Sequence, residues 1–268
     1  MTVILPRVVQ LNVGPPGGVG RSWSELYIKF EVERTGSRTA NKCKVEVYNL
    51  SPASLVFLEQ PGHVVQLLAG EGVPTTLFYG ELRKGGVETE VKHPNQVTTI
   101  KATDGQRILQ SGIFSGSYPA GSTRSQILTD VLAAGVIARG YIAPLPERTY
   151  QAPVAFSAPT PDVLDELFAG ELATWSLQSE RFTLLADGQA APGNAPIISA
   201  ATGMIGSPKR KDKGVKVSTS QMGAVAPGGG FVIASRLLNG QYRASKVLDK
   251  GDTEGQGWQS DLVGVQLS

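Results

Sequence analysis

Two early stretches of the chain alternate with a period of two. In the first, Leu26, Ile28, Phe30 and Val32 fall on one side, and Tyr27, Lys29, Glu31 and Glu33 on the other. In the second, Cys43, Val45 and Val47 oppose Lys44, Glu46 and Tyr48. Successive side chains of a strand point to opposite faces, so each stretch predicts a half-buried strand. The intervening Thr35-Gly36-Ser37-Arg38 is turn-rich, which predicts an antiparallel pair. At Asn49-Leu50-Ser51-Pro52 the period changes. Ser51 suits a helix N-cap, and Pro52 suits the first helical position, where its missing N–H has no partner to lose. Leu55, Phe57 and Leu58 follow, and Pro61-Gly62 stops the helix after little more than two turns. Strand patterns resume over 63–68, 75–82 and 96–103. One short helix within a run of strands predicts a small barrel or sandwich with a helical plug.

The middle of the chain has a different rhythm. Residues 104–110 predict a short capped helix. Residues 122–134 predict a better one, with Ile127, Leu128, Val131 and Leu132 on one stripe. Thr160-Pro161 opens a third, carrying Val163, Leu164, Leu167 and Phe168 on one face and Gly170 near its end. Strands are expected over 174–178 and 181–185. The Ala-, Pro- and Gly-rich stretch 189–196 reads as a linker, and strands follow over 215–218, 230–235, 241–248 and 258–267. No internal repeat or long low-complexity tract interrupts the chain. The expected class is α+β, predominantly β: an N-terminal β-barrel over 1–103, an α+β segment over 104–188, and a C-terminal all-β unit over 189–268.

Composition agrees with many strands joined by tight turns: the 268 residues include 32 Gly and 17 Pro. Charged residues make up 18%, below the usual soluble average of about 25%. A formal charge of +2 gives no compositional support for general nucleic-acid binding. The single cysteine, Cys43, sits in an alternating strand and reads as a small buried hydrophobe, as expected for a protein made in a reducing cytosol. No apolar stretch approaches the roughly 20 residues that span a bilayer. Met1-Thr2-Val3-Ile4-Leu5-Pro6-Arg7 lacks the pattern of a signal peptide, so a soluble intracellular product is expected.

The candidate chemistry is sparse. His63 and His93 are the only histidines, and neither has a second ligand at metal-site spacing. Asp162, Asp165 and Glu166 lie within one helical turn, as paired carboxylates for sugar hydrolysis would, but acids near a helix start also complement its dipole. Gly14-Pro15-Pro16-Gly17-Gly18-Val19-Gly20 lacks the Gly-Lys-Ser/Thr ending of a phosphate loop and reads as a flexible connection between strands; Gly228-Gly229-Gly230 reads as a turn. Lys209-Arg210-Lys211-Asp212-Lys213 is a dense basic run, either a solvated loop or a contact that steers an acidic partner. Asp249, Asp252 and Glu254 lack the ligand spacing of a calcium loop, and a turn bonding its own backbone is the expected use. Catalytic, cofactor-binding and metal-binding residues are therefore all expected to be absent, and the protein is expected to be no enzyme.

Several segments, in order, carry a family resemblance. Asn41-Lys42-Cys43-Lys44-Val45-Glu46-Val47-Tyr48-Asn49-Leu50-Ser51-Pro52 comes first, then Leu77-Phe78-Tyr79-Gly80-Glu81 and Ala102-Thr103-Asp104-Gly105. Thr202-Gly203-Met204-Ile205-Gly206-Ser207-Pro208, Ala226-Pro227-Gly228, Asn239-Gly240-Gln241-Tyr242-Arg243, Lys250-Gly251-Asp252-Thr253 and Gly257-Trp258 complete the series. Over most of its length the chain resembles the baseplate hub proteins of tailed bacteriophages. The resemblance implies two β-domains of the tail-tube type in each subunit of a homotrimer, giving a ring that matches a sixfold tube. It implies the tail tube protein, the central spike protein and other baseplate (wedge) proteins as partners. No cofactor, nucleic-acid specificity or membrane insertion is implied; the location would be the virion tail baseplate, after assembly in the host cytoplasm. Two other readings stand beside it. One is a peptidoglycan-degrading tail hydrolase using Asp162, Asp165 or Glu166. The other is a carbohydrate-binding tail module stacking sugars on Tyr79, Trp175, Tyr242 or Trp258.

Overall fold

The computed structural model describes residues 6–105, 108–109, 112–212, 214–254 and 257–267. The first strand, β1 (Arg7–Gly14), buries Val9, Leu11 and Val13, then passes through the glycine-rich run into the short β2 (Arg21–Trp23). A Cβ on Gly14 would meet the Gly20 Cα at 2.5 Å, a backbone approach that requires glycine. The two alternating stretches become β3 (Ile28–Thr35) and β4 (Lys42–Tyr48), antiparallel, with Ile28 opposite Val47 and Val32 opposite Cys43. Their apolar positions are buried as the alternation predicts. The helix α1 (Pro52–Leu58) is capped by Ser51, whose Oγ accepts from the Ser54 N–H at 3.3 Å. Three strands follow: β5 (Val64–Glu71), β6 (Thr75–Lys92) and β7 (Asn95–Thr103). β6 runs ten residues past the alternation that announced it, because a register shift between Leu82 and Val87 lets it resume pairing with β7.

The middle segment contains β8 (Ile113–Tyr118), α2 (Arg124–Ala134), β9 (Ala138–Ile142), β10 (Val154–Pro159), α3 (Thr160–Leu167), β11 (Ala173–Gln178) and β12 (Arg181–Ala186). The Thr123 side chain caps α2 by accepting from the Gln126 N–H at 3.2 Å. Both apolar stripes expected on α2 and α3 are buried. β8 pairs with β10, and β12 lies between β11 and β9. The helix expected over 104–110 falls partly outside the described residues, at 106, 107 and 110.

The last part is β13 (Ile197–Ser199), a 3-10 turn (Ala200–Thr202), β14 (Met204–Lys211), β15 (Gly214–Thr219), β16 (Gly230–Ala234), β17 (Asn239–Asp252) and β18 (Gln259–Gln266). Among the described residues, thirteen strands from both ends of the chain join in one sheet: eleven along the path β14-β15-β18-β17-β3-β4-β7-β6-β5-β1-β2, with β16 and then β13 branching from β17. The joint is β17, whose first half pairs with β16 and whose second half pairs with β3, Lys246 opposite Thr35 through Asp252 opposite Lys29. A bulge between Ala244 and Lys246 resets its alternation, so Tyr242 and Ala244 face one core and Val247 and Asp249 keep an inward direction beyond it.

Three apolar clusters form among the described residues. The first gathers β1, β3–β7 and α1, together with Met222 and Trp258 from the C-terminal part. The second unites α2, α3 and the middle strands around Trp175 and Phe182. The third lies under β15–β18 around Phe231 and Tyr242. The fold is predominantly β within the α+β class.

Candidate assembly surfaces and module junctions

The three carboxylates on α3 all lie at its exposed face. Asp165 Oδ1 accepts from the Trp175 indole N–H at 2.8 Å, and its other oxygen pairs with Arg38. Both oxygens are thus committed to neighbouring elements, and the side chain acts as a strut between α3, β11 and the β3–β4 turn. Cys43 is buried in β4, and burial pushes its thiol up, away from the reactive thiolate. The His63 ring is buried against Phe57, centroids 4.5 Å apart, and its Nδ1 has no hydrogen-bond partner. Desolvation lowers its pKa from the ordinary value.

The acidic trio near the C-terminus divides. Asp252 accepts from the Glu254 N–H at 2.9 Å, the expected local turn, and also from the Tyr27 hydroxyl at 3.3 Å. Burial and then Asp252 push the Tyr27 phenol up to about 12. Asp249 differs from the turn expectation. It points into the sheet, fully buried, where it bonds Arg34 Nη2 at 2.6 Å and also accepts from Ser260. Strand alternation after the β17 bulge turns it inward, and only a pairing across the β3–β17 seam makes that burial tolerable.

Trp175, Tyr242 and Trp258 are buried in the three clusters, so they offer no ring face to a sugar. Trp258 packs edge-on to Phe30 at 6.0 Å, and Gly251 leaves the space for it: a Cβ there would lie 2.8 Å from the indole.

Polar side chains hold the middle segment to the sheet. Asn41, buried at the entry to β4, accepts from the Thr35 N–H at 2.8 Å through Oδ1. Its Nδ2 donates to Asp104 Oδ2 at 3.1 Å, to Leu177 O at 3.1 Å and to Gln178 Oε1 at 3.2 Å. Asp104 in turn accepts from the N–H groups of Ser179 at 2.6 Å and Glu180 at 2.9 Å, which sit in the left-handed turn between β11 and β12. Burial raises the Asp104 pKa, against the pull of those bonds. On the other side, Arg243 Nη1 donates to the carbonyls of Ala186 at 3.0 Å and Gln189 at 3.1 Å. No sequence pattern pointed to this junction, since Asn41 and Leu177 are far apart in the chain.

Among the described residues, β2, β14 and β13, which branches off through β16, are the terminal strands of the sheet. The basic run expected as a loop is instead strand for its first three residues: Lys209, Arg210 and Lys211 end β14 in a hairpin with β15, Lys209 opposite Lys216 and Lys211 opposite Gly214. Lys213 lies outside the described residues. Beside β14, the 3-10 turn and the 235–239 turn enclose a groove of about 840 Å³ lined by Met204, Pro208, Arg236 and Leu237. The signal that hid this strand was its Gly206 and Pro208, which break the alternation. Elsewhere on the wet face several lysines meet glutamates. Lys246 meets Glu33 at 2.8 Å, Lys250 meets Glu31 at 3.1 Å, Lys44 meets Glu46 at 2.6 Å and Lys101 meets Glu88 at 2.8 Å.

No family model matches the sequence, and no curated protein matches it. Solved structures do match. The 43 kDa tail protein of prophage MuSo2 from Shewanella oneidensis superposes with a TM-score of 0.68 at 10% identity, covering 97% of this chain and 98% of that one. A tail protein from Neisseria meningitidis MC58 gives 0.70 at 8% identity, with 97% of each chain covered. The E. coli c3393 protein, a component of the type VI secretion system with structural similarity to bacteriophage T4 tail proteins, gives 0.62 at 11% identity over 96% of this chain and 77% of that one. The chain therefore has the fold of these tail proteins, from its first described strand to its last.

Proposed function

We propose that the chain is a structural component of a phage tail baseplate, a homotrimeric hub that joins the tail tube to the central spike. The observation that carries this reading is end-to-end likeness to phage tail proteins, with nearly the whole of each chain superposed. The thirteen-stranded sheet supports it physically. Its exposed strand edges can pair with other chains of the assembly by backbone hydrogen bonds, which removes aggregation-prone edges. The units of that assembly are the segments 1–103, 104–188 and 189–268, the first and last acting as tube-type domains. In this reading the protein works by shape in the virion tail, against tube, spike and wedge proteins, and turns over no substrate.

Light scattering of the purified protein is expected to give three times the chain mass of 28.3 kDa. Imaging of the native particle is expected to place the chain around the tail axis. A lone copy, or a position off that axis, would overturn the reading. A zymogram on peptidoglycan is expected to stay unclear; clearing that disappears in Asp165→Ala would replace the hub with a hydrolase.

A further inference from the structure

On the wet face, Lys44, Lys101, Lys246 and Lys250 meet glutamates, while Lys29, Lys42, Arg83 and Lys84 are exposed without an ion pair among the described residues. The densest run of unmatched cations lies elsewhere, on β14. Lys209, Arg210, Lys211 and Arg236 are exposed and, among the described residues, form no ion pair; Asp212 at the hairpin tip is the acid beside them. Lys209, Arg210 and Lys211 lie along the edge where β14 has β15 as its strand partner on one side and solvent on the other, and Arg236 lines the groove beside it. The same edge borders the apolar groove, where Leu237 is 74% exposed beside Met204 and Pro208.

An open strand edge, an apolar floor and unmatched positive charge have one occupant in common. We propose that the β14 edge receives an extended acidic segment of another tail component, which adds to the sheet as a further strand. Alternate side chains of an added strand point to opposite faces, so apolar ones fill the groove beside Met204 and Leu237 while carboxylates meet the cations. A second copy of β14 fits less well, because it brings a second run of Lys209, Arg210 and Lys211 to the same edge and the strand carries no acid to match them. Nucleic acid fits less well than a polypeptide: it has no use for the backbone edge or for the apolar floor. Calling the source a tail component rests on the hub reading; the chemistry of the segment does not.

The test uses the full-length protein and a fluorescent synthetic peptide alternating glutamate with valine. Saturable binding is expected in fluorescence anisotropy, weakening as salt is raised. The double variant Lys209→Glu/Arg210→Glu, and separately Leu237→Asp, are each expected to weaken binding about tenfold or more. Methylating alternate peptide nitrogens on the bonding edge is expected to abolish it. All substituted positions are exposed, and unchanged circular dichroism and melting serve as the folding control. Absence of binding, equal binding of the methylated peptide, or tighter binding of a short duplex DNA overturns the proposal. The hub reading is judged apart, by the mass of the same samples. A monomer that takes the peptide removes the hub and keeps the dock; a trimer that refuses it does the reverse.

Discussion

At the scale of single residues, the sheet depends on one buried charge pair. Asp249 is wholly buried, and its partner Arg34 comes from a strand more than two hundred residues earlier. Replacing Asp249 with Ala leaves the Arg34 guanidinium in a nearly closed site with nothing opposite it. Such a loss costs about 3–5 kcal/mol, and urea denaturation is expected to read it directly. Asp249→Ala combined with Arg34→Met, which removes the stranded charge, is expected to recover most of that loss. His63 gives a pH dependence of known sign. Its folded pKa lies below the ordinary 6.5 because burial disfavours the imidazolium. The unfolded chain therefore takes up a proton that the folded chain refuses, and stability is full above about pH 6.5 and declines as the pH falls below it. His63→Phe, which keeps the stacking surface toward Phe57, is expected to remove this site's share of the decline. Denaturation midpoints on either side of that pH would measure the difference; an unchanged slope in the variant would assign the acid sensitivity elsewhere.

At the scale of elements, what could be read from the sequence tracks how many side chains an element buries on one face. β3 and β4 alternate cleanly because each is packed on one side and wet on the other, and their pairing follows from it. α1, α2 and α3 announce themselves by caps and stripes. The same logic predicts that Ser51→Ala, losing the bond to the Ser54 N–H, costs ~1 kcal/mol, measurable by thermal melting. β9 and β14 bury none of their residues fully, so no two-face pattern exists to read. β1 did carry alternation in Val9, Leu11 and Val13, but Val8 on the opposite face blurred it. The junction at Asn41 was invisible for another reason: its partners are set by the tertiary fold, and one polar residue before a strand has many ordinary uses. The dock on β14 was half legible, as the basic run without the strand edge or the groove that give it a direction. Asn41→Ala is expected to expose the Asp104 side and cost about 1–3 kcal/mol at this joint. Its mark is local: faster amide exchange over β11 and β12, with β3 and β4 still protected.

At the scale of the whole molecule, the arrangement of cores and seams makes a statement about cooperativity. The first and third clusters sit under one continuous sheet, in which β17, whose Tyr242, Ala244 and Val247 line the third, pairs with β3 of the first. Met222 and Trp258, late in the chain, complete the first core, so the N-terminal strands cannot keep their packing if the C-terminal strands leave. The middle segment is different. It has its own apolar cluster, and it meets the sheet through Asn41, Asp104, Gln178, Arg38 and Arg243 rather than through a shared core. Hydrogen bonds and partly exposed ion pairs contribute little net free energy beside a buried apolar seam. Scanning calorimetry is therefore expected to resolve two transitions, one for the sheet carrying both ends of the chain and one for residues of the middle segment. Asp249→Ala should lower the first and leave the second in place, whereas Phe182→Ala, at the centre of the middle cluster, should do the opposite. A single transition that both variants move together would mean that the polar junction couples the cores as tightly as the sheet does. In a hub the two-step behaviour has a use, because the rigid wall and the segment attached to it can then respond separately when partners load the assembly.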